Sequence, residues 1–137
     1  MTVPKIHLEQ LVQAAKESSA HAYCPYSNFP VGAAVLTSEG QIFSGSNVEN
    51  ASFGLSICAE RNAVFQAVSK STGRLEIKMI VIYTPTDTPT APCGACRQVI
   101  NEFGSESEIL CIGKGKKTIR LRLGELLPNA FGPNDLE

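Results

Sequence analysis

The sequence predicts a layered α/β domain on a mixed five-stranded sheet. Helix-like and strand-like patterns interleave in the order αββαβαββ, and that alternation stacks helices on a sheet. No internal repeat, linker or low-complexity tract divides the 137 residues, so one domain over 1–137 is expected. Its length is sufficient to bury a core.

Each element has its own signal. Leu8, Leu11, Val12 and Ala15 recur at helical spacing and place an amphipathic helix over 8–18. Residues 21–30 carry two prolines, Ser27 and Asn28, and read as loop. An apolar run of small residues, 31–37, suits a buried strand; Ser38-Glu39-Gly40 turns the chain and 41–46 returns as a second strand. Residues 47–56 show no period. From Cys58, a stripe of Ala59, Ala63, Val64, Ala67 and Val68 defines a second helix that ends near Lys70. The β-rich run 77–83 fits a central strand, and the three prolines of 84–92 impose a loop. A third helix over 96–103 stops at Gly104, and 108–112 and 118–123 are strands about a glycine-lysine turn.

Composition excludes several classes. The net charge of −1 offers no general attraction for phosphate backbones, so nucleic acid is not an expected partner. No run approaches the length of a membrane span, and the N-terminus lacks the apolar stretch of a signal peptide, which favours the cytoplasm. Five cysteines, an odd number, do not read as a secreted disulfide framework. Cys111 lies in an apolar run and reads as core; Cys24, before Pro25, reads as packing. The run Lys114-Gly115-Lys116-Lys117 fails the phosphate-loop pattern and reads as a solvated turn.

The other three cysteines fall in Cys58-Ala59-Glu60 and Pro92-Cys93-Gly94-Ala95-Cys96. A structural zinc is closed by four protein ligands, whereas a catalytic zinc keeps one position for water. Three thiolates with Glu60 close by fit the second case, with one Zn²⁺ per chain. A structural knot would need a fourth ligand; His7 and His21 are remote, and neither Cys24 nor Cys111 has ligand-like spacing. Both segments fall at strand-to-helix junctions, where helix N-termini favour thiolate. Three thiolates on one Zn²⁺ sum to −1, and Arg61 or Arg97, or both, could offset that by donating to sulfur. A zinc held there would make water acidic enough to supply hydroxide near neutral pH. Glu60 could then take the proton from that water and pass it on.

A Cys-x-Glu segment followed by Pro-Cys-x-x-Cys resembles the signature of zinc deaminases acting on nucleobases. The wider pattern resembles the small homotetrameric cytidine deaminases along almost the whole chain. The matching segments are Tyr26-Ser27-Asn28-Phe29-Pro30-Val31-Gly32-Ala33-Ala34, Gly45-Ser46-Asn47-Val48-Glu49-Asn50-Ala51, Cys58-Ala59-Glu60-Arg61, Pro92-Cys93-Gly94-Ala95-Cys96-Arg97-Gln98-Val99 and Leu126-Leu127-Pro128-Asn129-Ala130-Phe131. The resemblance implies a three-layer α-β-α sandwich around the mixed five-stranded sheet. It implies that Cys58, Cys93 and Cys96 hold zinc and that Glu60 shuttles protons. It further implies that Phe29 stacks on a pyrimidine, that Asn47 and Glu49 hold a ribose 3′-hydroxyl, and that the Ala59 backbone meets the base edge. Without it, Asn47 and Glu49 read equally well as turn and edge-strand polar residues. Phe131 would reach a neighbouring subunit's site in a homotetramer with shared sites. The implied reaction is deamination of free cytidine and 2′-deoxycytidine to the uridine forms with release of ammonia. Phe53, Asn62 and Ala91 depart from the family's usual tyrosine, threonine and serine.

Overall fold

The computed structural model describes residues 3–137. Five strands form one sheet in the order β2-β1-β3-β4-β5: β1 (Gly32–Thr37), β2 (Ile42–Ser46), β3 (Ile77–Tyr83), β4 (Glu108–Ile112) and β5 (Thr118–Arg122). The central β3–β4 pair is parallel and the other three pairs are antiparallel, so the sheet is mixed as expected. Helix α1 (Lys5–Ser19) covers one face; α2 (Ala59–Lys70) and α3 (Gly94–Gly104) cover the other. A four-residue helix, α4 (Leu123–Leu126), follows β5, and short 3-10 turns occur at Phe53–Leu55 and Pro133–Leu136.

Strand geometry explains the three layers. Successive strand side chains point to opposite faces. Ala34, Leu36, Met79, Val81 and Leu110 accordingly meet Leu11 and Ala15 of α1. Ala33, Val35, Ile80, Ile82, Ile109 and Cys111 meet Ala59, Ala63, Val64, Ala67 and Ile100 of α2 and α3. A strand buried on both faces has no polar side to show, hence the continuous apolar runs of β1 and β3.

Three expectations need correction. Helix α1 begins at Lys5 rather than residue 8, because the Pro4 carbonyl already accepts a hydrogen bond from the Leu8 N–H (3.1 Å). Helix α3 begins at Gly94, so Cys96 sits within its first turn rather than starting it. Val68 leaves the core stripe of α2: it is 45% exposed, as is Phe65, because the inner face of that helix carries Ala63, Val64 and Ala67. Cys111 is fully buried, as its apolar surroundings predict.

Candidate active site

The two cysteine segments meet at the N-termini of α2 and α3. Cys58 is the N-cap of α2 and Cys93 the N-cap of α3, both in extended conformation. Cys96 is one turn further along α3 and buried. N-terminal helical N–H groups lack intrahelical partners and carry partial positive charge, an environment suited to thiolate.

Packing fixes where these two helices begin. Helix α2 lies directly on β2: a Cβ on Gly45 would stand 2.6 Å from the Ala63 backbone nitrogen, so only glycine admits the helix there. Asn62 Nδ2 also donates to the Ser46 carbonyl (2.8 Å). The 84–92 loop, which delivers Cys93, is held by a chain of hydroxyls. Thr86 Oγ1 donates to the Thr88 carbonyl (2.7 Å), so the Thr84 hydroxyl, 2.8 Å away, must donate to Thr86. Residues just beyond β4 close over this loop. The Lys114 N–H donates to the Thr86 carbonyl (2.7 Å), and a Cβ on Gly113 would lie 2.4 Å from the same oxygen.

All three sulfur atoms lie within 4.8 Å of one another, with Cys58–Cys93 at 3.9 Å and Cys93–Cys96 at 3.5 Å. A tetrahedral zinc with bonds of about 2.3 Å sets its sulfur ligands about 3.8 Å apart, so the cluster fits that ion. Among the described residues, no other group of three His, Cys, Asp or Glu side chains is close enough to hold a metal, and Glu60 is not in this one. The donor set is thus three thiols, leaving the fourth corner to a non-protein ligand.

Arg61 and Arg97 have separate roles. Arg61 Nη2 donates to Cys58 Sγ (3.4 Å), and its buried Nε has no partner. Arg97 makes no hydrogen bond to sulfur: its Nε donates to the Pro92 carbonyl (2.8 Å) and its Nη1 to the Leu126 carbonyl (3.0 Å). It therefore braces the residue before Cys93 against the C-terminal segment.

The electrostatics favour ionisation of Cys58. The neighbouring Cys96 thiol, followed by the Arg61 guanidinium, lowers Cys58 to about 5 despite its partial burial. Cys96 moves the other way, because it lends its proton to Cys58 and is itself buried. Glu60, 5% exposed, is pushed up to about 7, chiefly by burial and then by the negative charge on Cys58; Arg61 opposes the rise.

Of the remaining expected positions, Phe29, Asn47 and Glu49 gather on two loops. Segment 26–31 folds over Asn47 and Glu49. Asn47 Nδ2 donates to the Phe29 carbonyl (2.9 Å), and its Oδ1 accepts from the Val31 N–H (2.8 Å). Glu49 Oε1 accepts from the Tyr26 and Ser27 N–H groups (3.0 and 3.1 Å), and its Oε2 accepts from the Ser27 hydroxyl. The Phe29 ring is left 38% exposed. Phe131, 59% exposed, is fastened through its carbonyl, which accepts from Gln98 Nε2 (2.9 Å) and Asn101 Nδ2 (3.3 Å) of α3. Ala59 is the first residue of α2, where its N–H has no intrahelical acceptor. Ser27 joins these positions only in the folded structure, through its hydroxyl to Glu49 and its oxygen to the Phe29 N–H; in the sequence it is a turn residue.

Two clefts of about 680 Å³ lie elsewhere, one beside the N-terminus of α1 and the other beside the end of α3. None of Cys58, Glu60, Cys93 or Cys96 lines either.

Residues 5–112 match the family model described as the cytidine and deoxycytidylate deaminase zinc-binding region. The chain belongs to this family. A "probable cytidine deaminase" of Dictyostelium discoideum is 47% identical over 130 residues, covering 94% of this chain and 86% of that protein. The cytidine deaminase of Sporosarcina psychrophila is 42% identical over 130 residues, 94% of each chain. The crystal structure of cytidine deaminase from Burkholderia pseudomallei superposes with a TM-score of 0.84 at 45% identity, covering 90% of this chain and 98% of that one. The deaminase family's zinc-binding description agrees with the three-thiol cluster.

Proposed function

We propose that this chain hydrolytically deaminates free cytidine and 2′-deoxycytidine to uridine and 2′-deoxyuridine, releasing ammonia. The observation that carries the reading is a three-thiol cluster on two helix N-termini with a buried, non-ligating carboxyl beside it. Cys58, Cys93 and Cys96 would hold the zinc. When bound, the ion supplies Lewis-acid activation of water near neutral pH.

The chain's own residues do the rest. Glu60, with its carboxyl near 7, can both accept and release a proton at neutral pH. It accepts a proton from the water whose oxygen adds to C4 of the base and delivers it to ring N3; it then takes the second proton from the new C4 hydroxyl and passes it to the departing amino nitrogen. A C4–O bond forms and the C4–N bond breaks, giving the 4-oxo base and ammonia. Phe29 offers an aromatic face to the pyrimidine. The Ala59 backbone meets the base edge. Glu49 and Asn47 read the sugar, and their open positions match one hydroxyl. Glu49 has three of about four acceptor positions filled, and Asn47 keeps one N–H and one lone pair. A 3′-hydroxyl donating to Glu49 and accepting from Asn47 fits. A chain continuing from that oxygen would lose the donated bond, which favours a nucleoside over a polynucleotide.

The reading assigns 1–137 to one catalytic domain that works as a homotetramer with shared sites. Exposed apolar side chains support the assembly: Phe65 and Val68 on α2, Tyr26 and Phe53 with ring centroids 5.6 Å apart, and Phe131. Patches of this kind mark interaction sites. The cytoplasm suits five free cysteines, three of them clustered. No helix among the described residues is long and apolar enough to cross a membrane.

The test is loss of cytidine absorbance with zinc-loaded protein beside a chelated control. Uridine and ammonia should appear in equal amounts and stop with the chelator; a zinc-replete protein inert on both nucleosides would sink the reading. Sedimentation at assay concentration checks the assembly, and a fully active monomer would overturn the shared site.

A further inference from the structure

The hydroxyl of Ser27 lies between Glu49 and the backbone of Phe29. A carboxylate cannot donate, so the Ser27 proton points to Glu49 Oε2. The Ser27 oxygen is then free to accept, and the Phe29 N–H donates to it (3.1 Å). The Phe29 carbonyl, in turn, accepts from Asn47 Nδ2 (2.9 Å). Both backbone polar groups of Phe29 are therefore anchored, one through Ser27 to Glu49 and the other directly to Asn47. Asn28 between them has φ 55°, the left-handed conformation that asparagine tolerates, and its N–H donates to the Cys24 carbonyl (2.9 Å). The turn that carries the ring is thus held by three hydrogen bonds to named partners.

Ser27 also decides what Glu49 has left to offer. Oε1 takes two backbone N–H groups, and Oε2 takes the Ser27 hydroxyl. One acceptor position remains, on Oε2. The same bonds, that of Ser27 foremost, hold the Glu49 carboxyl below the ordinary carboxylate range, so it stays an acceptor.

We propose that Ser27 is a positioning residue that couples sugar recognition by Glu49 to base stacking by Phe29. This rests on the nucleoside reading above. Removing the hydroxyl frees Oε2 to rotate and leaves the Phe29 N–H without its partner. The sugar and base contacts should loosen together while the zinc cradle is untouched, because no hydrogen bond links Ser27 to Cys58, Cys93, Cys96 or Glu60.

The experiment compares wild type, S27A and S27T on cytidine and on 3′-deoxycytidine, which lacks the hydroxyl assigned to Glu49 and Asn47. S27A should raise the KM for cytidine about 10-fold, the scale of a lost hydrogen bond to a charged group, with kcat and zinc content within about 2-fold of wild type. On 3′-deoxycytidine the rise should be smaller, because the contact that Ser27 organises is already missing. S27T, which keeps a hydroxyl, should restore the cytidine KM. A general loosening of the loop would raise KM equally for both nucleosides, and that result overturns the coupling. An S27A enzyme with unchanged KM overturns the inference alone. A wild type inert on cytidine overturns the nucleoside reading and this inference with it.

Discussion

The thiol cradle hangs on two helix N-termini, with Cys96 and Glu60 buried, whereas segment 26–31 is exposed loop held by the side chains of Asn47 and Glu49. In the cradle, a hydrogen bond from the Cys96 thiol lowers Cys58 and burial raises Glu60, both far from their ordinary values. In the loop, only Glu49 shifts clearly, and it does so because hydrogen bonds stabilise its anion. On the proposed reading, chemistry sits on regular structure that packing holds in place, and recognition on a loop whose order comes from a few polar bonds. Damage to the cradle should therefore appear in turnover and metal, and damage to the loop in KM.

The sharpest way to break that division is Glu60→Gln. It should keep zinc and lose about 10²- to 10⁴-fold in kcat, the usual span for a positioned acid-base group. Near-normal turnover would remove Glu60 from the proton path. Stability should respond to pH as well. A carboxyl raised from 4.5 to about 7 is destabilised as an anion by folding. The cost is absent below about pH 4.5, grows through the window and is complete above about 7. In chelated protein, E60Q should thus melt above wild type at pH 8, by up to about 3 kcal/mol, with no such gain at pH 4.

Arg61→Gln is next in size. It removes the donor to Cys58 Sγ, and loss of a group of this kind weakens metal binding by about 10- to 100-fold. Competition with a zinc-binding dye checks this; unchanged affinity and turnover would leave Arg61 without a role at the metal. Asn47→Ala tests the loop. It strips partners from the Val31 N–H and the Phe29 carbonyl, so it should cost about 1–3 kcal/mol in chemical denaturation. It should also raise KM with little change in zinc content. If it instead lost zinc, the two regions would not be separable.

The smallest effect is expected far from both. Arg120 on β5 pairs with Glu108 on β4 through two hydrogen bonds, and the pair lowers the Glu108 carboxyl below its ordinary value. Arg120→Ala should cost no more than about 1 kcal/mol at neutral pH. A lowered carboxyl stabilises the fold above its ordinary range, and that contribution fades as pH falls through the folded value. The difference between variant and wild type should accordingly close under acid conditions, with kcat and KM unchanged at all pH values.

Much of the fold was legible because periodicity is a local property. The eight main elements follow from helical spacing, from short apolar or β-rich runs and from the turns between them, and Cys58-x-Glu60 with Pro92-Cys93-x-x-Cys96 names the chemistry. Val68 was misjudged because helical spacing cannot say how wide a stripe the sheet will cover, and small alanines let α2 sit with a narrow buried face. Helix α4 is four residues long, too short to show a period. Arg97 was an equal candidate for sulfur because it follows Cys96 as Arg61 follows Glu60. The structure turns it toward the Pro92 and Leu126 carbonyls instead.

By itself, then, the sequence determined the element order, the burial of β1 and β3, the three thiols and the family to which they belong, since each rests on residue type and short spacing. Tertiary structure alone decided the rest. It brought Cys58 to within 3.9 Å of Cys93 across 35 residues, and it chose Arg61 over Arg97. It closed Ser27 onto Glu49 across 22 residues. Partners so distant in the chain are set by strand order and by how closely a helix can approach a glycine such as Gly45, and no local pattern encodes either.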